Sequence, residues 1–325
     1  MEKTRMTAIS KTSLLSLYET MLRQRMLEEE VVELFKQGLI PGLAHPYIGQ
    51  EAVAAGVCAA LGEGDLVVSN HRGHGHSVAK GIPERAILSE LMGKDAGMCL
   101  GLGGSMHSTD LQAGVIFSTA IVGGGIPLAV GVALALQMDR KANCVACFFG
   151  DGATNTGAFH EALNLAAVWR LPVVFVCENN RYAVSVPVSK STSASIVQRG
   201  QAYGIPGLSA NGMNVLDVYA VASEAVARAK KGEGPTLMEC ETYRYKGHGV
   251  YDNGLDYRTQ QEVDEWVKRD PIKGFERKLT TEKLASAEEL DAIRSRVKSR
   301  LAEAVEFAKN RPYPSNDLLG KFVWA

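Results

Sequence analysis

The protein is a chain of 325 residues with a formal net charge of -1; 46% of its residues are hydrophobic and 22% are charged. This composition is typical of a globular protein, and the charge balance argues against a nucleic-acid-binding surface or a basic membrane contact. No apolar run reaches membrane-spanning length, and the N-terminal sequence lacks the apolar core of a signal peptide. We therefore expect a cytoplasmic protein that binds neither nucleic acid nor a membrane.

The first third of the sequence predicts helices joined by loops. Helices are expected near residues 13–38, 50–61 and 83–93, and the first of them is amphipathic. A short strand is expected at 65–70. The stretch 97–108 is rich in glycine and too irregular for regular structure, so we predict a functional loop there.

The middle of the sequence predicts buried elements. Segment 123–138 is predicted to be a helix with Pro127 near its start. Because this helix is apolar on every side, we expect it to be fully buried. Strands are expected at 144–149 and 173–177, with a helix at 157–169 between them.

The following segments continue this alternation. They predict a helix at 192–203, a strand near 207–210, a helix near 217–231 and a strand at 235–245. Strands that alternate with helices indicate an α/β fold with a doubly wound parallel sheet covered on both faces.

The tail of the chain is predicted to be helical. Ser286 and Glu289 have the spacing of a capping box, and the apolar residues after them recur on one helical face. We expect a single domain over residues 1–325, with a helical segment at 1–40 and a helical tail at 260–325.

Two of the six cysteines, Cys144 and Cys147, form a C-x-x-C pattern that occurs in metal and redox sites. Here the pattern falls in a predicted strand, where residues three apart point to opposite faces. We therefore expect these cysteines to be small buried apolar residues.

Oxygen ligands follow two of the predicted strands. Asp151 follows the strand at 144–149, and Asn180 follows the strand at 173–177. A right-handed crossover brings the carboxyl ends of both strands to one edge of the sheet, so these side chains should converge. Their oxygens suit Mg²⁺ and not Zn²⁺, and Gly152 leaves room for a phosphate at the next helix N-terminus. The pattern therefore predicts a Mg²⁺–diphosphate site.

Other cofactor motifs do not fit this stretch. After Gly152, a dinucleotide-binding fingerprint requires a glycine where the sequence has Asn155, and no phosphate-binding G-x-x-x-x-G-K-[ST] occurs. The segment HEALN resembles the start of a zinc-protease motif, but Asn164 stands where its second histidine should be.

Four motifs occur in order: GSMH (104–107), GDGATNTG (150–157), CENNRYA (177–183) and TYRYKGHG (242–249). Over roughly residues 20–270 the chain resembles the α subunit of the thiamin diphosphate-dependent E1 component of 2-oxoacid and acetoin dehydrogenase complexes. The resemblance implies an enzyme that forms hydroxyethyl-thiamin diphosphate from acetoin or pyruvate and acylates the lipoyl group of an E2 acyltransferase. It also implies an α₂β₂ heterotetramer with an E1 β subunit.

The resemblance implies a metal and cofactor site as well. The side chains of Asp151 and Asn180 and the backbone carbonyl of Tyr182 would ligate Mg²⁺. Arg72 would fork onto diphosphate oxygens. The cofactor-binding residues implied are His71, Arg72, Ala120, Val122, Asp151, Gly152, Ala153, Asn180, Tyr182, Val184 and His248. The chain departs from the family pattern at His71, where tyrosine is common, and at Ala120, where glycine is common.

Three histidines match active-site histidines of the family: His45, His74 and His248. A structural role is the alternative for His45 and His248. For His107 and His160 we favour structural hydrogen bonds, and we do not expect the histidines at 71, 74 and 76 to form a metal cluster.

The family places the glutamate that activates the cofactor on the β subunit, and this chain offers no candidate, so we expect it to be inactive alone. The segment GIPG at 204–207 resembles acetoin enzymes, ENNRY pyruvate enzymes and YAVSVP branched-chain enzymes. A branched-chain 2-oxoacid substrate is the alternative. A non-catalytic partner subunit and a nicotinamide-dependent oxidoreductase are the alternatives from other classes.

The loop after TYRY carries phosphorylated serines in mitochondrial members of the family. Here Gly249 and Asp256 stand at those positions, and neither can be phosphorylated as serine can. We expect Asp252 and Arg258, which have opposite charges, to order this loop when the cofactor binds.

Overall fold

A computed structural model of the protein describes residues 9–318 and 320–322. Expectations for residues 1–8, 319 and 323–325 lie outside the described residues. The helices are α1 (Lys11–Lys36), α2 (Glu51–Ala60), α3 (Gly73–Ala79), α4 (Glu84–Leu91), α5 (Gly125–Met138), α6 (Gly157–Trp169), α7 (Val188–Ser191), α8 (Val215–Lys230), α9 (Gln260–Val267), α10 (Pro271–Thr281) and α11 (Ala287–Asn310). The strands are β1 (Leu66–Ser69), β2 (Val115–Ser118), β3 (Val145–Gly150), β4 (Val173–Asn179), β5 (Tyr182–Ala183), β6 (Val186–Pro187), β7 (Gly207–Asn211) and β8 (Thr236–Glu241).

Six strands form one parallel sheet in the order β2-β1-β3-β4-β8-β7. Helices α5 and α6 pack on one face of this sheet, and α2 and α8 pack on the other. The predicted doubly wound α/β fold is confirmed. Cys144 lies in the core on one face and Cys147 in the core on the other, as their strand spacing predicted.

The helices at the two ends of the described chain pack together. Apolar residues of α1, α10 and α11 share one core, and the far halves of α1 and α11 enclose a second core with α4. The predicted capping box is present, because the Ser286 side chain accepts from the Glu289 N–H and the Glu289 side chain accepts from the Ser286 N–H. No helix of the described part of the chain is long and apolar enough to cross a membrane.

Two predictions of local structure are wrong, and one strand was not predicted. The expected helix at 192–203 is only a 3-10 helix at Val197–Tyr203, since the serine and threonine residues before it have low helix propensity. Strand β2 was not expected, since it is four residues long and flanked by glycine-rich loops. Helix α5 is not fully buried: Leu128 is 54% exposed and Met138 is 75% exposed, because the sheet covers only one side of it.

Candidate active site

The carboxyl ends of the central strands surround one pocket. Strands β3 and β4 pair in register up to Gly150 and Glu178, so Asp151 and Asn180 follow at the same edge of the sheet. The predicted convergence is confirmed, since both residues line this pocket. The pocket is lined by Asn70, His71, Arg72, Thr119, Ile121, Val122, Gly123, Phe149, Gly150, Asp151, Gly152, Ala153, Asn180, Tyr182, Ala183, Val184, Arg244 and His248.

Asp151 presents a buried oxygen to the pocket. The residue is 1% exposed, and its Oδ2 atom has no hydrogen-bond partner among the described residues. Burial raises the pKa of the Asp151 carboxyl to about 6. Asn180 lies beside it, donating to Gln50 Oε1 at 3.2 Å and accepting from the Tyr182 N–H at 3.3 Å. An unpartnered buried carboxylate oxygen is costly unless a cation or a donor completes it.

Close backbone approach marks the turn after β3. A Cβ atom on Gly152 would lie 2.7 Å from the Ala183 Cβ, so only glycine fits there without a shift. Ala153 follows, and Thr156 then caps helix α6 by accepting from the Phe159 N–H at 3.3 Å. Glycine and a helix start at one strand end leave backbone N–H groups available to an anion.

Two buried guanidinium groups, on Arg72 and Arg244, face the same pocket. Arg72 donates to the carbonyls of Pro46 at 2.7 Å and His248 at 2.9 Å, and Arg244 donates to the Val184 carbonyl at 2.8 Å. The Nε atoms of both arginines lack partners in the described part of the chain. Burial and the charge of Arg244 lower the pKa of Arg72 to about 9, and an anion would relieve this repulsion.

Arg244 was missed by the sequence analysis. It stands inside the motif TYRYKGHG, which was examined only for its histidine. The available signal was a charged residue inside the segment 235–245, which was predicted to be a buried strand. The observed strand β8 ends at Glu241, so Arg244 lies beyond it, at the edge where Asp151 and Asn180 were already expected.

The structure brings three histidine rings together. The ring centroids of His45, His71 and His248 lie 4.8 to 5.3 Å apart. Burial lowers the pKa of His45 to about 4 and that of His248 to about 3, and it lowers the pKa of His71 well below its usual value. All three rings are therefore neutral at pH 7.

His74 is separate from this group. Its Nδ1 atom lies 3.2 Å from the Glu28 carboxylate and its Nε2 atom 3.0 Å from the Ser105 hydroxyl, and it is not among the described residues lining the pocket. No group of three histidine, cysteine or acidic residues able to hold a metal ion occurs in residues 9–318 and 320–322.

The side chains of His107 and His160 each form one described hydrogen bond and lie at exposed positions. His107 Nδ1 lies 3.3 Å from the Gly103 carbonyl, and His160 Nδ1 lies 2.5 Å from the Tyr203 hydroxyl. Neither contact leads to the pocket.

An apolar wall closes one side of the pocket. Val122 and Val184 line it and are more than half exposed, as is Ile121, whereas Ala120 is exposed but not among the described lining residues. Val184 has a φ of 55°, a left-handed conformation that is rare for a β-branched residue. Such strain is found at binding sites where the surrounding structure enforces it.

These contacts define an α/β protein with a pocket of buried charged groups at the carboxyl edge of its sheet. The protein family described as "Dehydrogenase E1 component" matches residues 18–317. The chain belongs to this family.

Curated relatives agree with this assignment along nearly the whole chain. The alpha subunit of acetoin:2,6-dichlorophenolindophenol oxidoreductase from Bacillus subtilis (strain 168) is 46% identical over 314 residues, covering 96% of this chain and 93% of that protein. The pyruvate dehydrogenase E1 component subunit alpha of Porphyra purpurea is 40% identical over 325 residues, with 98% and 94% covered. The chloroplastic subunit alpha-3 of pyruvate dehydrogenase E1 from Arabidopsis thaliana is 42% identical over 324 residues, with 98% and 76% covered.

The resemblance to E1 α subunits is therefore confirmed, and with it the oxidoreductase class. Membership of the family implies dependence on thiamin diphosphate, and the name alpha of the relatives implies a beta partner.

Proposed function

We propose that this chain is the α half of an E1 enzyme that uses Mg²⁺ and thiamin diphosphate to act on acetoin or pyruvate. The observation that carries the proposal is the buried, unpartnered Oδ2 atom of Asp151 at the carboxyl edge of the sheet. The same observation argues against a non-catalytic partner subunit, since a chain without a cation would gain nothing from keeping this carboxylate desolvated.

The donor set around Asp151 fits Mg²⁺. The carboxylate of Asp151, the amide oxygen of Asn180 and the backbone carbonyl of Tyr182 are all hard oxygen ligands, which Mg²⁺ prefers. The three residues line one pocket. We propose that they hold the ion.

Diphosphate would lie on the positive side of the same pocket. The paired guanidinium groups of Arg72 and Arg244 and the backbone around Gly152 and Ala153 offer donors for phosphate oxygens. Val122 and Val184 would pack against the pyrimidine ring of the cofactor. When bound, the cofactor supplies the nucleophilic carbon that attacks the substrate carbonyl.

His248 would present a proton to the substrate. Its Nδ1 atom lies 3.2 Å from Arg244 Nη1 and 3.4 Å from Arg72 Nη2, and both guanidiniums are donors only. Nδ1 must therefore accept, so the neutral ring carries its proton on Nε2. We propose that His248 donates a hydrogen bond to the substrate from its Nε2–H group. We propose the same role for His45, whose ring contacts that of His248. His74 would act indirectly, since Glu28 and Ser105 occupy both of its nitrogens.

The missing half of the site supports a β subunit partner. Asp151 is the only carboxylate among the described residues that line the pocket, so the glutamate that activates the cofactor would come from β. Helix α5 exposes Leu128, Ala135 and Met138 on the side away from the sheet. We propose that this face is covered in an α₂β₂ tetramer.

For the substrate we place acetoin first, because one acetoin relative is 46% identical, whereas a second acetoin relative and the two pyruvate dehydrogenase relatives are 40% to 42% identical. Pyruvate is the second candidate, and the acyl group would pass to the lipoyl group of an E2 protein. Co-expression with the β subunit and assays on acetoin, pyruvate and 2-oxoisovalerate test this choice. Activity on 2-oxoisovalerate alone would contradict it. A single domain over residues 1–325 and a cytoplasmic location stay predictions.

A further inference from the structure

Glu178, near the end of β4, is 1% exposed and is not among the described residues that line the pocket. Its carboxylate nevertheless bonds to side chains from three other segments. Oε1 accepts from the Tyr47 hydroxyl and lies 3.2 Å from His76 Nε2, and Oε2 accepts from Asn70 Nδ2 at 2.9 Å. Glu178 therefore joins the end of β4 to the loop before α2, the turn after β1, and helix α3.

The bond from Asn70 to Glu178 leads to Arg72. Asn70 donates from its NH₂ group to Glu178 and accepts the Arg72 backbone N–H on its amide oxygen at 2.8 Å. Only the NH₂ end of an amide can donate to a carboxylate, so Glu178 fixes the orientation of the Asn70 amide. The Arg72 backbone thus depends on an acceptor at position 178.

The bond from Tyr47 to Glu178 leads to the loop that carries His45. Tyr47 follows Pro46, whose carbonyl accepts from Arg72 Nη1 at 2.7 Å. The Tyr47 ring also packs tightly on helix α3, where a Cβ atom on Gly75 would lie 2.2 Å from the ring. With its ring and its hydroxyl both held, Tyr47 fixes the position of the two residues before it.

The contact between His76 and Glu178 forms part of a chain of buried side chains. His76 Nδ1 lies 2.7 Å from the Ser69 hydroxyl, and its ring stacks on Phe148 at 4.1 Å. Ser69, His76 and Glu178 have the order of a hydrolase triad, but each is at most 1% exposed and cannot reach a substrate. The chain therefore acts as a tie between β1, α3 and β4.

We propose that Glu178 is a positioning residue for the cofactor pocket: its carboxylate holds Arg72 and His45 in place relative to Asp151 and Asn180. The inference rests on the proposed function, because it takes the pocket to be the thiamin diphosphate site. It assigns Glu178 no contact with the cofactor itself.

The variant Glu178→Gln tests this with little change in volume. If the new NH₂ group faces Asn70, two donors meet, and turning the Asn70 amide would place an NH₂ group against the Arg72 N–H. If the NH₂ group faces Tyr47 instead, the Tyr47 hydroxyl has no acceptor for its own proton. This hydroxyl already accepts the Ala54 N–H at 3.2 Å. We expect the affinity for thiamin diphosphate to fall about tenfold, or about 1.4 kcal/mol.

A reciprocal exchange provides the rescue. Asn70→Asp alone would set two carboxylates against each other. In the double variant Glu178→Gln/Asn70→Asp, the new amide donates to the new carboxylate, which still accepts the Arg72 N–H, and the amide oxygen still accepts from Tyr47 and His76. Every hydrogen bond is kept, so we expect the double variant to bind at least about threefold, or about 0.7 kcal/mol, better than Glu178→Gln alone.

Glu239→Gln is the matched control. Glu239 on β8 accepts from Asn179 Nδ2 at 2.7 Å, a bond of the same kind on the neighbouring strand, and its other described contact is the Val197 N–H. Since neither contact leads to Arg72, this variant should bind the cofactor as wild type does.

The measurements are calorimetry of thiamin diphosphate with Mg²⁺ on the co-purified α/β complex, and a crystal structure of the cofactor-free Glu178→Gln complex. We expect Arg72 displaced from the Pro46 carbonyl in that structure. Wild-type affinity with Arg72 unmoved, or a double variant no better than the single, would overturn the proposal. If the wild-type complex does not bind thiamin diphosphate, the proposed function fails, and the position of Arg72 in the variant still decides the role of Glu178.

Discussion

Arg244 donates from Nη2 to the backbone carbonyl of Val184 at 2.8 Å, and Val184 has a φ of 55°. The bond links the segment after β8 to the turn between β5 and β6, across the pocket edge. The same Nη2 atom donates to the Tyr257 hydroxyl at 2.8 Å, and Nη1 lies 3.2 Å from His248 Nδ1. One guanidinium thus holds a strained residue of the apolar wall, a histidine and the loop beyond it.

Arg244→Lys should weaken the cofactor site although it keeps the charge. An ammonium group cannot reproduce the planar fork that reaches Val184, Tyr257 and His248 together. We expect thiamin diphosphate affinity to fall about tenfold in calorimetry of the α/β complex. Arg181→Lys is the control, because Arg181 forms an exposed ion pair with Glu241 and does not line the described pocket. Equal losses in both variants would contradict a specific role for Arg244.

The loop after β8 is held by Asp252 and Arg258, but not through each other as their charges suggested. Asp252 accepts from the backbone N–H groups of His248 at 2.6 Å and Gly254 at 2.7 Å. Arg258 donates to the three consecutive carbonyls of residues 244–246. Each side chain therefore orders the loop by bonding to its backbone.

Removing these bonds should expose the loop to proteases. We expect Arg258→Gln to speed cleavage between Lys246 and Arg258 about tenfold, because local opening becomes about 1.4 kcal/mol easier. Adding Mg²⁺ and thiamin diphosphate to the wild-type complex should slow cleavage there. Limited proteolysis measures both rates, and an unchanged rate in the variant would show that Arg258 does not order the loop.

The exposed face of α5 should be needed for assembly. Ala135→Asp places a charge on this face, and a desolvated unpaired charge should weaken subunit association at least about tenfold. Ala302→Asp is the matched control on the exposed side of α11. Sedimentation of the co-expressed subunits should show an α₂β₂ species for the control and smaller species for Ala135→Asp. Intact tetramers in both variants would show that the exposed face of α5 is not part of the subunit interface.

Stability of the cofactor-free complex should fall as the pH drops below about 6.5, the usual histidine pKa. The folded-state pKa values of His45 and His248 are lowered to about 4 and about 3, so between these values and 6.5 only the unfolded chain takes up their protons. Asp151, with its pKa raised to about 6, acts in the opposite direction but is common to all variants.

The double variant His45→Gln/His248→Gln should therefore lose less stability than wild type between pH 7.5 and pH 5. Thermal unfolding of the cofactor-free complexes at the two pH values measures the difference. Equal losses of stability in the variant and the wild type would show that the His45 and His248 rings do not cause the pH dependence.

Sequence reasoning located the ends of β3 and β4 well, because position 150 ends a run of buried residues and two ligand types follow two strands joined by one helix. The strand predicted at 235–245 instead ends at Glu241. Sequence reasoning placed Asp151, Gly152 and Asn180 correctly at one edge. It could not find Glu178, because the role of this residue depends on contacts between segments far apart in sequence. It also could not separate His74 from His45, since only the fold shows that Glu28 lies beside His74.

In the proposed function, Asp151 holds a divalent cation that binds thiamin diphosphate. Calorimetry of the co-purified α/β complex with Mg²⁺ tests it, comparing wild type with Asp151→Ala. We expect Mg²⁺-dependent binding in wild type and a loss of at least about 100-fold in the variant, because Asp151 is the only charged group among the proposed protein ligands of the ion. Unchanged affinity in Asp151→Ala, or binding that needs no divalent cation, would contradict it.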